Sequence, residues 1–202
     1  LVIKKFLSKK ETIIWVLIGL CIYYLCKSRT SYACVLILSL MNIIAPLIHG
    51  KRILNFTRII AQLSPVIASV FSLSITLQQG NYDVRMYAIN EFFSGRYAIA
   101  YHYIRKFGIR AISFMSASEY AENQAVLDNG FLYTGIRYGL LFLLFYFFIF
   151  YKLGKLFKNN FLMLIVLIVL SIANMVDNDL YSYGFLPFLM LAFGEKASNK
   201  KT

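Results

Sequence analysis

An all-α, polytopic transmembrane helical bundle is the fold class this sequence predicts, and three observations predict it. Of the 202 residues, 59% are hydrophobic, 15% are charged and three are prolines, a balance outside the range of an ordinary soluble domain. The apolar residues are gathered in long runs, several of which approach or reach the roughly 17–25 residues that a helix needs to cross a hydrocarbon core. Backbone in lipid must satisfy its own hydrogen bonds, which leaves helices as the form for such runs.

Taken in order, the expected spans cover residues 12–26, 30–49, 59–77, 130–151, 161–176 and 180–193, six helices in a single membrane domain over residues 1–202. The chain opens on Leu1, so it reads as the C-terminal part of a longer chain with further helices before it. Lys4, Lys5, Lys9 and Lys10 precede an apolar run without a small-residue cleavage site, so the first run is expected to be a retained span. Cys21, Cys26 and Cys34 have no paired spacing and no neighbouring histidines, and they read as packing residues.

The basic residues set the orientation. Lys4, Lys5, Lys9 and Lys10, then Lys51, Arg52 and Arg58, then Lys152, Lys155 and Lys158, then Lys196, Lys200 and Lys201 flank alternate connections and define the cytoplasmic side. Lys27, Arg29, Arg85, Arg96, Arg105, Lys106 and Arg110 fall opposite, together with most of the acids. The net charge of +12 is therefore a topology signal and does not argue for nucleic acid.

This topology leaves one long extracytoplasmic loop, residues 78–129, while the other connections are short. A connection so far beyond about 4–6 residues is functional or disordered, and Tyr87, Phe92, Phe93, Tyr97, Tyr101, Tyr103 and Phe107 argue against disorder. Short interfacial helices are expected there. Ser94 has the chemistry to cap a helix starting near Gly95. Tyr97, Tyr101, Ile104 and Gly108 would share one face, and Arg96, Tyr103 and Arg110 a neighbouring one if the helix survives Gly108.

Tyrosine and lysine or arginine also settle at lipid headgroups for ordinary reasons, and this explanation covers Arg85, Arg105 and Lys106. Arg110 is open to it as well as to substrate contact. Arg29 is different, because K-S-R-T-S opens a helix at the outer surface, where free N–H groups and the helix dipole sit beside the guanidinium. Arg137 is the one charge well inside a span, between Gly135 and Gly139, and a polar cavity or a diphosphate contact would explain it. The G-x-x-x-G spacing around it suits close helix packing. The D-N-D at residues 177–179 reads as a short polar turn.

Three motifs in order, K-S-R-T-S, then S-G-R-Y-A-I-A in the large loop, then L-D-N-G-F-L-Y-T-G-I-R-Y-G opening the next helix, resemble the C-terminal half of the Wzy-type polysaccharide polymerases, relatives of the O-antigen ligases. The resemblance implies a membrane glycosyltransferase of the bacterial cytoplasmic membrane, with its active site facing outside. Its donor would be a polyprenyl-diphosphate-linked oligosaccharide, transferred with inversion to a sugar hydroxyl of the next repeat unit. A flippase and a chain-length regulator of the same pathway would be its partners, and no cofactor or metal is expected.

The resemblance assigns the diphosphate to Arg29 and Arg96, a role that suits arginine's permanent charge and planar fork. Related ligases carry H-N where this chain has Asp128 and Asn129. Asp128 is the candidate base or orienting group for the acceptor hydroxyl, and Asn129 a substrate contact, although both would also serve as caps of the following helix. His102 is a second candidate proton carrier or an interfacial bystander. A ligase acting on another acceptor and a transporter of lipid-linked sugar are the competing readings.

Overall fold

The computed structural model describes residues 9–26, 29–45, 50–80, 84–114 and 127–176, and every regular element among them is helical. In chain order these are α1 (Lys9–Cys26), α2 (Arg29–Ile44), α3 (Lys51–Gln78), α4 (Val84–Phe92), α5 (Arg96–Phe107), α6 (Gly130–Arg137), α7 (Leu140–Leu156) and α8 (Phe161–Ala173). Among the described residues, α3 is the one helix long and apolar enough to cross a membrane, and α2 and α8 carry shorter apolar stretches. The sixth expected span and the D-N-D turn lie outside the described residues.

The chain divides into two compact units, Leu1–Ser64 with Phe150–Ala173 and Pro65–Ile149 with Asn174–Thr202. In the first, α2 packs against both α1 and α8. Phe150, Phe157, Leu164 and Leu167 are fully buried, and small polar residues are buried with them. Asn42 Nδ2 donates to Thr12 Oγ1 at 2.9 Å, and the Ser64 and Ser171 hydroxyls meet at 2.8 Å. Such pairs let helices approach closely without leaving a polar atom unsatisfied. Asn160 caps α8 by accepting the Met163 N–H.

Proline at position 65 deprives the Ala61 carbonyl of its usual main-chain donor. The Ser64 hydroxyl donates to that carbonyl at 3.0 Å, so α3 runs through the proline. It begins at Lys51, well before the expected residue 59, because its first turns alternate exposed Lys51 and Arg52 with the buried Thr57 and Ala61. Hydropathy alone misses such a mixed start.

The second unit is built on Ala100 and Tyr103 of α5, Leu127, and Leu132, Tyr133 and Ile136 of α6, with Leu73 of α3 packed against them. Here the single helix expected over residues 130–151 proves to be two. Gly139 adopts φ +94, a left-handed conformation that ends α6, and its N–H returns to the Thr134 carbonyl. The new helix start is satisfied from the loop: the Leu140 and Leu141 N–H groups donate to the carbonyls of Arg110 and Ala111, and Ser113 N–H donates to the Tyr138 carbonyl. Residues 110–113 are thus stapled to the break.

Large apolar side chains cover much of the described surface, among them Ile13 on α1, Ile43 on α2, Phe56 and Ile67 on α3 and Phe145 on α7, each at least 60% exposed. Apolar surface on this scale marks a face that meets lipid or another chain. Cys21 shares it: this cysteine is exposed, so core packing does not account for it, while Cys34 is half-buried.

Candidate functional site

Arg96 is the first residue of α5, and the turn before it is unusual. Ser94 and Gly95 both have positive φ, 56 and 79, and the backbone doubles back so that Gly95 N–H donates to the Asn90 carbonyl at 2.8 Å. The expected Ser94 cap is not made, because the residue at the cap position is Gly95, without a side-chain bond. Asn90 takes that place from the end of α4, its Oδ1 accepting the Ala98 N–H at 3.0 Å. An acceptor reaching across the turn does the work of an N-cap.

The buried face of α5 is Tyr97, Ala100 and Tyr103, not the Tyr97, Tyr101, Ile104 face expected. The helix stops at Gly108, with φ 69, so Arg110 does not share a helical face with Arg96. Its side chain is exposed, and its carbonyl serves the α7 start. His102 lies on the exposed side of α5, with its ring edge-on to Tyr103.

Asn129 is the N-cap of α6. Its Oδ1 accepts the Leu132 N–H at 3.1 Å while its Nδ2 donates to the Met175 carbonyl at 2.7 Å, and the residue is fully buried. The preceding Asp128 is thereby aimed back toward α5. Its Oδ2 lies 3.4 Å from Arg96 Nε, and the two side chains are 25% and 36% exposed, Arg96 first. Arg96 also donates through a terminal nitrogen to the Val176 carbonyl.

Two helix starts and the backbone after α8 therefore meet around one arginine and one carboxylate. Arginine at the first position of a helix works against the helix dipole, a placement that costs stability and is offset here by Asp128. Buried Tyr97 stands behind the pair with its hydroxyl 3.5 Å from the Met175 carbonyl. Burial pushes its phenol above the ordinary value, with the Ser72 hydroxyl opposing the shift.

Of the residues picked from the sequence, Arg96, Asp128 and Asn129 are brought together in this unit. Arg29 opens α2 in the other unit. Arg137 ends α6, where the dipole favours a cation. Its guanidinium lies over the rings of Tyr133 and Tyr138, 5.2 and 5.5 Å from their centroids, and donates to the Tyr133 hydroxyl. The two tyrosines form an aromatic clamp around it.

The glycines flanking Arg137 also differ from the expected packing motif. A Cβ at Gly135 would meet nothing within 4 Å, and this residue borders an apolar cavity of about 190 Å³ between α3, α6 and α7. Sequence reasoning passed over Asn90 and the Asn174–Val176 carbonyls. Asn90 caps an N–H eight residues further on, beyond the reach of a local cap signal, and main-chain carbonyls have none. No family model, curated protein or solved structure matches this chain.

Proposed function

We propose that this chain is a multi-pass membrane glycosyltransferase of the polysaccharide-polymerase kind, acting on polyprenyl-diphosphate-linked oligosaccharides outside the cytoplasmic membrane. The observation that carries the reading is the Arg96–Asp128 contact, which joins two of the three motifs behind the family resemblance. The exposed apolar faces of α1, α2, α3 and α7 and the sorting of basic residues support a six-span bundle in lipid.

Arg96 binds the donor diphosphate and neutralises the charge that grows on it as the bond from the anomeric carbon to phosphate oxygen breaks. The acceptor hydroxyl attacks that carbon from the opposite face, its proton passes to the Asp128 carboxylate, and the diphosphate leaves with the bonding electron pair.

The test is the length of the surface glycan in cells carrying Arg96→Ala or Asp128→Ala at normal protein level. Short or single-repeat glycans are expected; normal long chains sink the proposal. A transporter of lipid-linked sugar is favoured by one observation, the break between α6 and α7, since discontinuous helices line many transport paths. Vesicles holding the purified chain separate the two: movement of lipid-linked glycan without polymer supports transport.

A further inference from the structure

The Arg96–Asp128 contact is long and reached by solvent. Its Nε–Oδ2 separation of 3.4 Å is long beside the about 2.7–2.9 Å of a charge-assisted N–H···O bond. Both side chains keep access to solvent. Arg96 is held independently by the Val176 carbonyl, so its guanidinium has an anchor that does not involve the carboxylate. Asp128 sits between Leu127 and Asn129, both fully buried, which fixes its backbone while its side chain keeps contact with solvent.

We infer that Asp128 is the resident counter-anion of Arg96, and that a phosphate-type oxyanion exchanges with it, releasing the carboxylate in the same event that seats the anion. The inference rests on the proposed function and adds an order to it. Carboxylate and phosphate compete for one planar fork, and the phosphate, with more charge and more acceptor oxygens, gains more from it. An ion pair that keeps contact with solvent is weak, so the pair itself opposes the exchange little. In the empty site the carboxylate is occupied. Once the donor is bound, it is at hand for the proton of the acceptor hydroxyl, so proton acceptance is tied to donor binding.

The full chain in lipid nanodiscs tests this by titration with farnesyl diphosphate and, separately, inorganic pyrophosphate at fixed ionic strength. Asp128→Asn and Asp128→Ser remove the competitor and are expected to tighten binding by about 2–5-fold, the range that an exposed ion pair supports. Arg96→Gln is expected to weaken it by about tenfold or more, as loss of a hydrogen bond to a charged group does. A gain in either arm supports the exchange, and the arm that carries it says whether a lipid headgroup or a free anion is the ligand.

Unchanged or weaker binding in the Asp128 variants, with Arg96→Gln impaired, overturns the exchange and leaves Arg96 as the anion residue. Binding indifferent to Arg96→Gln overturns both. The unaltered chain offers a second readout that needs no folded variant: infrared difference spectra on adding pyrophosphate should carry a shifted aspartate carboxylate stretch, and a silent carboxylate region refutes the exchange.

Discussion

The Asn129 side-chain amide donates to the Met175 carbonyl at 2.7 Å while its oxygen caps α6, so one buried residue joins a helix start to the segment that follows α8. Asn129→Ala removes both bonds. The cap is worth about 1 kcal/mol, and losing a hydrogen bond to the half-buried Met175 carbonyl, which keeps the Tyr97 hydroxyl nearby, costs about 0.5–1.5 kcal/mol more. A loss of about 1.5–2.5 kcal/mol follows. Asn129→Asp keeps the cap but turns a donor into a charge facing a carbonyl, and it should be no better than alanine. Thermal unfolding of purified protein in one detergent, run side by side, checks both.

Gly135 and Gly139 predict opposite outcomes for the same substitution. At Gly139 an added Cβ would lie 2.6 Å from the Ala111 carbonyl oxygen, at φ +94. The left-handed conformation alone costs an alanine about 1–2 kcal/mol, and the clash would loosen the staple of residues 110–113. At Gly135 the methyl enters open space inside a helix, where alanine is favoured over glycine by about 0.5–1 kcal/mol. Gly139→Ala should therefore lower the melting temperature and speed proteolysis between residues 108 and 114, while Gly135→Ala should raise or preserve the melting temperature and leave proteolysis there no faster. Equal effects at the two glycines would contradict the break.

These two glycines also mark where the sequence stopped being readable. The helical class and the α1, α2 and α8 segments follow from hydropathy, because runs of apolar residues carry that signal wherever they pack. The break does not, because apolar residues stand on both sides of it and its hydrogen-bond partners, Arg110 and Ala111, are remote in sequence. Arg96, Asp128 and Asn129 were legible as motif residues, but their contact was not, since it depends on the Asn90 turn and on backbone carbonyls after α8. Half of the Arg137 clamp could have been seen: Tyr133 stands four residues before it, within helical reach, whereas Tyr138, the next residue, gives no such signal.

In the other unit, Thr12 and Asn42 form a buried side-chain pair between α1 and α2. Removing one partner leaves the other to be satisfied inside the interface, at about 1–3 kcal/mol, whereas replacing both by apolar residues of similar shape is close to neutral. Thr12→Val and Asn42→Leu should each destabilise, and the double variant should recover most of the loss. Unfolding in a denaturant series gives the coupling directly. Additive losses would mean that the pair contributes nothing as a pair.

Arg137, held by its own tyrosines, and Arg96, proposed to bind an anion, should respond differently to substitution. With the Arg137 guanidinium over two tyrosine rings and at the C-terminal end of α6, its contribution comes from cation–π contact and the dipole, of order 1–2 kcal/mol together. Arg137→Ala should lower thermal stability by that amount and leave pyrophosphate affinity within about twofold, a limit below the tenfold that 1.4 kcal/mol represents. Arg137→Lys keeps the charge but stacks less well and should recover part of the stability. Arg96→Gln should do the reverse, weakening anion binding more than it weakens the fold, because its partner Asp128 is half-exposed and can be solvated when the guanidinium is gone. A pyrophosphate affinity that falls with Arg137→Ala at unchanged stability would return Arg137 to the binding site and dismiss the clamp as its reason for being there.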